Sequence, residues 1–446
     1  MSRRRILVRL GVAGALVVGG GAVAAAFFTR RSREDAIAEA KRLVQESYAA
    51  LRAGNIAVAA DHASKARALD EESQEAKVAW VHTTGMSLME ADGDGARAVG
   101  FVSEVRRLGL RGTHHAFANL AAAVAMKNDR FARRLVDQHK EQNVPGDAFY
   151  DFAAGAALDL DCDPALAEAA FSRSASQWQD AVLPRLRRVR SLLFDERFEE
   201  ARVALSEVRG ADAAAVVLAA ALGRMQGDAS VQAHVDPATV VDLPRSVRPL
   251  AQALLLGGDD AAFGIDAALG DIDSALVATT CAQIALVAGD LQAAHAAAEA
   301  AQRFRPELTR ATVMLVRVKL LRGDLAGAKQ AADHSGEAEP LSIVHAIGAY
   351  EERRTEDLVK IDEEAKSTGL RGWALLPSAL GLLGVGKMPT EPELQAAIDA
   401  REPWADVLLV DLALAASDVP RAKRVMDRWS DVTEPRTRRR KRVADR

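Results

Sequence analysis

The chain has 446 residues, far more than one compact core normally holds, and is 49% hydrophobic but only 4% aromatic. That balance excludes an aromatic-rich sheet protein and favours helices packed closely through small side chains. The net charge of −4 conceals basic ends: residues 1–33 carry +7 and 436–446 carry +6, which leaves −17 on 34–435 and excludes a solenoid wrapped around nucleic acid, because phosphate contacts need clustered positive charge.

The amino terminus opens on Arg3, Arg4 and Arg5, continues through 19 uncharged residues from Leu10 to Phe28, and closes on Arg30, Arg31 and Arg33. A helix of that length reaches about 28 Å, close to the hydrocarbon thickness of a bilayer. Arg9 sits within reach of the headgroups. Gly11, Gly14, Gly19, Gly20 and Gly21 soften the segment, so three readings stand side by side: an anchor, a cleaved export signal and a buried helix. Ser2 to Leu7 resembles a twin-arginine export signal, and Ala22-Val23-Ala24 resembles a small-residue cleavage site. The bulky Phe27 and Phe28 and the basic cluster behind them favour an uncleaved anchor spanning 1–33. The charge balance across it orients the amino terminus inward and the remaining chain outward, in a periplasm.

From residue 34 onward the pattern changes to Ala-rich helical runs such as 293–301, broken by short Gly, Asp and Asn sites. Turns are predicted near Gly54, Gly93, Asp129, Cys162, Glu196, Gly227, Gly258, Gly289, Gly323, Arg353, Gly386 and Ser417. Twelve antiparallel helix hairpins follow, and no sheet. Gly289-Asp290-Leu291 and Gly323-Asp324-Leu325 lie 34 residues apart, each followed by an Ala, Ala294 and Ala328. A fixed period near 34 is the mark of stacked helix pairs, each unable to bury its apolar face without a neighbour.

In this register the chain resembles the tetratricopeptide repeat family. The unit 275–308 matches through the turn Gly289-Asp290, Leu291 at the start of the second helix, Ala294, Ala298 and Ala301 at close-packing sites, and Pro306 at its end. Residues 40–73 match through Gly54, Asn55, Ile56, Ala59, Ala63, Ala66 and Leu69. The unit around Phe198 has Ala201, Leu205 and Val208 in the corresponding places, while Phe171 and Met426 take the large-residue site, with Ala167 and Ala422 one turn earlier. Other units depart: Arg134 stands where a small residue is expected and Arg188 where an apolar one is. The resemblance implies an all-α, right-handed superhelical solenoid over 34–430. It also implies a concave groove lined by the first helices, where Arg190, Arg310 and Arg317 fall by spacing and can offer a planar fork to a carboxylate or acidic peptide.

Few residues suggest chemistry. Cys162 and Cys281 have no CxxC neighbour and read as small buried residues. Asp159, Asp161 and Asp163 begin like a calcium loop, but Pro164 and Ala170 break it, so capping of the next helix is expected instead. His114, His115 and His139 lie too far from paired carboxylates in sequence to indicate a metal. No HExxH, GxSxG or Walker sequence occurs. Neither a cofactor nor a catalytic residue is read; a helical-solenoid cell-wall hydrolase stands as the alternative class, requiring a cleft Glu with a raised pKa. The chain ends at 431–446 with Arg438, Arg439, Arg440, Lys441 and Arg442, a run too charged to pack and suited to anionic lipid or an acidic partner. The expectation is a non-enzymatic scaffold for other proteins of an inner-membrane or envelope complex, with a cytoplasm-facing adaptor or an exported soluble form as the alternatives.

Overall fold

The computed structural model describes residues 33–335 except 91–94, 209–212, 227–236, 256–271, 273, 288–289 and 323, together with scattered positions from 341 onward. The predicted anchor at 1–33 with its arginines, the turn residues Gly93, Gly227, Gly258, Gly289, Gly323, Arg353, Gly386 and Ser417, the Ala422 and Met426 sites and the basic tail therefore lie outside the described residues, except for Arg33 itself. Among the described residues there is no strand, and no helix is long and apolar enough to cross a membrane.

Helices form where Ala- and Leu-rich runs carry buried residues at spacings of three and four. They are α1 (33–52), α2 (Ile56–Leu69), α3 (Gln74–Glu90), α4 (Gly95–Arg107), α5 (Thr113–Ala125), α6 (Asp129–Glu141), α7 (Ala148–Leu160), α8 (Pro164–Gln177) and α9 (Val182–Phe194). There follow α10 (Phe198–Ser206), α11 (Ala213–Met225), a 3-10 turn at Pro237–Asp242, α12 (Arg248–Leu255), α13 (Ala275–Val287), α14 (Leu291–Phe304), α15 (Thr309–Leu321) and α16 (Leu325–Ser335).

The hairpin bends share one chemical device. Gly54, Lys127, Cys162 and Glu196 all adopt left-handed φ of 82°, 52°, 63° and 58°. Behind three of them the next amide reaches five residues back, Asn55 to Ala50 O, Asn128 to Ala123 O and Arg197 to Leu192 O. This closure satisfies carbonyls that a helix end leaves unpaired. The same bond recurs from Asp290 to Ala285 O and from Asp324 to Lys319 O. An Asn or Asp side chain then starts many of the following helices: Asn128 accepts from Phe131 N, Asp163 from Leu166 N, and Asp290 from both Gln292 N and Ala293 N. Asp163 is thus a cap, as its sequence context predicts. The bend expected near Asp129 centres on Lys127, because Asn128 takes the cap and Asp129 already belongs to α6.

Contacts divide the chain into two compact units, Met1–Asp161 with Ala169–Arg185, and Cys162–Glu168 with Leu186–Arg446. In the first unit, packing follows chain order: α2 on α3, α3 on α4 and α5, α4 on α5, α5 on α6 and α7, and α6 on α7. Small residues allow these approaches. Ala59, Ala63 and Ala66 are fully buried on α2, and Leu43, Val44, Ala76 and Ala79 join Ala63 and Ala66 in one cluster with Tyr48 and Trp80 packed against it. Leu69, another residue matched in the unit 40–73, is exposed at the end of α2. Phe171 fills the large-residue site against Phe152, its ring also facing Gly155. Each large apolar side chain fully buried in this way stabilises by about 1.5–3 kcal/mol.

The second unit repeats the scheme with α10 on α11, α11 and α12 on α13, α13 on α14 and α15, α14 on α15, and α15 on α16. Ala294, Ala298 and Ala301 are fully buried, as the close-packing reading of 275–308 requires. Cys281 is buried with its thiol directed to Pro249 O, whereas Cys162 is only half-buried at its bend, so the expectation of two buried thiols holds for one. Arg188 is tolerated in an apolar position because Glu168 and Glu207 neutralise it at 2.8 and 3.2 Å. Arg134 is simply exposed, the buried small residue of α6 being Ala132.

Candidate functional site

The repeat period has a consequence for polar side chains: residues one period apart stand at matching places on successive first helices. In the first unit, α3 lies against α5 and α5 against α7. Tyr48 on α1, His82 on α3 and His114 on α5 follow one another at intervals of 34 and 32 residues, and Asp147, the cap of α7, comes 33 later. These four converge. The Tyr48 hydroxyl is 3.1 Å from His82 Nδ1. One ring nitrogen each of His82 and His114 and a carboxylate oxygen of Asp147 all lie within 4.8 Å of one another.

Aromatic rings fix this arrangement. His82 stacks on Phe149 with centroids 3.8 Å apart and planes 17° from parallel, and meets Phe117 edge-on at 5.6 Å. Phe149 in turn packs on Trp178 at 4.7 Å. In a chain with only 4% aromatic residues this concentration marks a local feature rather than ordinary core. His82 is buried, while Tyr48, His114, Asp147 and Phe149 are half-buried, so the cluster runs from interior to surface.

Its electrostatics keep the groups ready to coordinate or accept. Burial, with a smaller contribution from His114, drives His82 down to about 3, so the imidazole is neutral at physiological pH. Burial and the nearby Asp147 charge raise the Tyr48 phenol, which stays protonated. With Nδ1 engaged by Tyr48, His82 Nε2 is buried without a partner, as is His114 Nδ1. An unpaired buried polar atom costs about 1–3 kcal/mol, so two in one cluster are an unrelieved expense of folding that a ligand would offset.

The arginines expected to face a ligand each hold partners within the protein. Arg190 is buried: its Nη1 donates to Ser246 O at 2.6 Å and its guanidinium lies 5.1 Å above the Phe194 ring. Its fork knits α9 to the segment before α12. Arg310, half-buried, donates to Phe194 O and pairs with Glu196. Arg317 reaches Gln283 Oε1 at 3.1 Å, one period away on α13. Arg190 and Arg310 thus both meet Phe194, one over its ring and the other at its carbonyl, and none of these contacts involves the histidine cluster.

Nor do His115 and His139 join the cluster. His115 Nε2 accepts from Arg106 at 3.3 Å, and His139 is buried beside Tyr150. In sequence His114 stands beside His115 far from paired carboxylates, and His82 stands by itself. Spacing of 34, 32 and 33 residues was the available signal, and it acquires meaning only once the hairpins stack.

A second hollow of about 300 Å³ is lined by Trp80, Thr84, Arg97, Phe101 and Glu104 among others. Its charge is already neutralised internally: Arg107 and Arg67 hold the Glu104 carboxyl down at about 2, and Arg67 covers the Trp80 ring at 4.4 Å. The histidine cluster is therefore the stronger candidate.

No protein-family model matches this chain, and no curated protein matches it. Solved structures similar over most of its length include the APC/C hetero-tetramer Cut9–Hcn1, at 14% identity and a TM-score of 0.41, covering 87% of this chain and 86% of that one. Yeast Tom70 aligns at 13% identity and a TM-score of 0.28, covering 94% and 93%. Naa15/Naa10 bound to HypK-THB aligns at 12% and 0.20, covering 94% and 89%. All three are long and loose superpositions.

Proposed function

We propose that this chain is a non-enzymatic, tetratricopeptide-like scaffold that holds other proteins, anchored by its amino terminus in a bacterial-type inner membrane with the repeats in the periplasm. The observation that carries the scaffold reading is the chain-ordered stacking of hairpins in each unit, α3 on α5 on α7 and α11 on α13 on α15. Units sealed only by their neighbours extend surface rather than enclose a single active-site cleft, and extended surface of this kind suits protein partners. The anchor is supported by the uncharged 19-residue run between arginine clusters, and the orientation by the excess of positive charge on its amino-terminal side. The basic run 436–446 adds an electrostatic contact to acidic lipid or protein.

Protease treatment of spheroplasts tests the topology: digestion of the repeats places them outside the inner membrane, and their protection reverses the assignment. Affinity purification from solubilised membranes, with the full chain and with a chain lacking 436–446, tests the scaffold. A defined set of proteins recovered in fixed proportion supports it. Recovery of the chain alone contradicts it.

A further inference from the structure

We propose that His82, His114 and Asp147 form a divalent transition-metal site of the zinc class on the first helices of the first unit. Two imidazoles and one carboxylate are the borderline nitrogen and oxygen ligands that such ions prefer, and three protein ligands leave one position of a tetrahedron for water or a partner's side chain. The three donor atoms already lie within 4.8 Å of one another. Around a bound ion with bonds near 2.0–2.1 Å they would stand about 3.3 Å apart, a closure that rotation of the half-buried His114 and Asp147 can supply.

The remaining contacts are those a metal ligand needs. His82 is immobilised between Tyr48 and Phe149. In the tautomer with Nδ1–H donating to the Tyr48 oxygen, Nε2 carries the free lone pair, which is how outer partners orient a ligating imidazole. Nε2 of His82 and Nδ1 of His114 are buried and have no partner within the protein. One Asp147 oxygen accepts from Tyr150 N at 2.7 Å and starts α7; the carboxylate has a second oxygen to offer. Acidic and imidazole groups arrive here from three consecutive hairpins, so a bound ion would tie them together, adding to the scaffold a metal-dependent brace.

The test uses the full chain, purified, stripped with a chelator and titrated with Zn²⁺ calorimetrically and with Co²⁺ by visible absorption. One equivalent should bind, with a Co²⁺ spectrum of low-symmetry tetrahedral type, and Zn²⁺ should raise the melting temperature. Asp147→Asn preserves the cap on Tyr150 N and His114→Gln is half-buried, so both should fold with the melting temperature of the stripped parent yet bind at least 100-fold more weakly. A chain that binds no stoichiometric metal, or variants that bind as tightly as the parent, would overturn the proposal.

Discussion

The Tyr48 hydroxyl lies 3.1 Å from His82 Nδ1 although 34 residues separate them in the chain. Arg317 and Gln283 meet at 3.1 Å across the same interval in the second unit. The repeat period thus appears as rungs of paired side chains between neighbouring first helices, and one set of these rungs carries the histidine cluster.

The closeness of neighbouring helices can be tested through glycine. A methyl group at Gly155 would stand 2.8 Å from Phe171 Cε1, inside contact distance of a fully buried ring. Gly155→Ala should destabilise by about 1–3 kcal/mol through overpacking, lowering the urea midpoint. Gly100, exposed on α4 with nothing within 4 Å of the added carbon, should respond oppositely. Gly100→Ala is expected to stabilise by about 0.5–1 kcal/mol from helix propensity. Equal effects at the two sites would contradict this packing.

Asp290 accepts from two amides at the start of α14. Its replacement by Ala should cost about 1 kcal/mol, and Asn should restore most of it. Amide exchange in the first turn of α14 reports the change, which should be absent in α3 or α5.

Acid should loosen the first unit through His82. Its folded value, near 3, lies below the ordinary histidine value of 6.5, so the unfolded chain takes up the proton first. The stability it contributes is complete above pH 6.5 and falls as pH drops from there toward 3, by at most about 1.4 kcal/mol per unit. Urea midpoints measured on stripped protein at pH 7 and pH 4.5 should converge for parent and His82→Gln as the pH falls. Parallel curves would show that His82 titrates normally.

Arg190 should act on folding rather than on partners. Removing its guanidinium takes the donor from Ser246 O inside the protein, and Arg190→Ala is expected to destabilise by about 1.5–3 kcal/mol. At equal folded fraction its recovery of partners should match the parent. Reduced capture without reduced stability would return Arg190 to the binding surface.

Much of the fold was legible because it is written in short-range chemistry. Gly54, Cys162 and Glu196 mark bends, and all three take left-handed backbone. Ala294, Ala298 and Ala301 lie at helical spacing and are buried together. The functional residues were harder to see. Arg190 looks like a solvated first-helix charge in sequence, yet its burial depends on Phe194 and on Ser246, which lies 56 residues away. His82 occurs alone, His114 stands beside a His115 that points elsewhere, and Asp147 reads as a helix cap, which it also is. Their convergence depends on the angle and spacing of three hairpins, quantities that local propensity does not contain.

Hydrogen exchange mapped along the full chain tests most directly the claim that hairpins are sealed in order by their neighbours. Comparing the parent with Gly155→Ala, the account predicts the largest loss of protection in α7 and α8, a smaller loss in α5 and α6, and none in α13 and α14. A uniform loss from α1 to α16, or a loss that skips α5 and α6 to appear in α13 and α14, would contradict it.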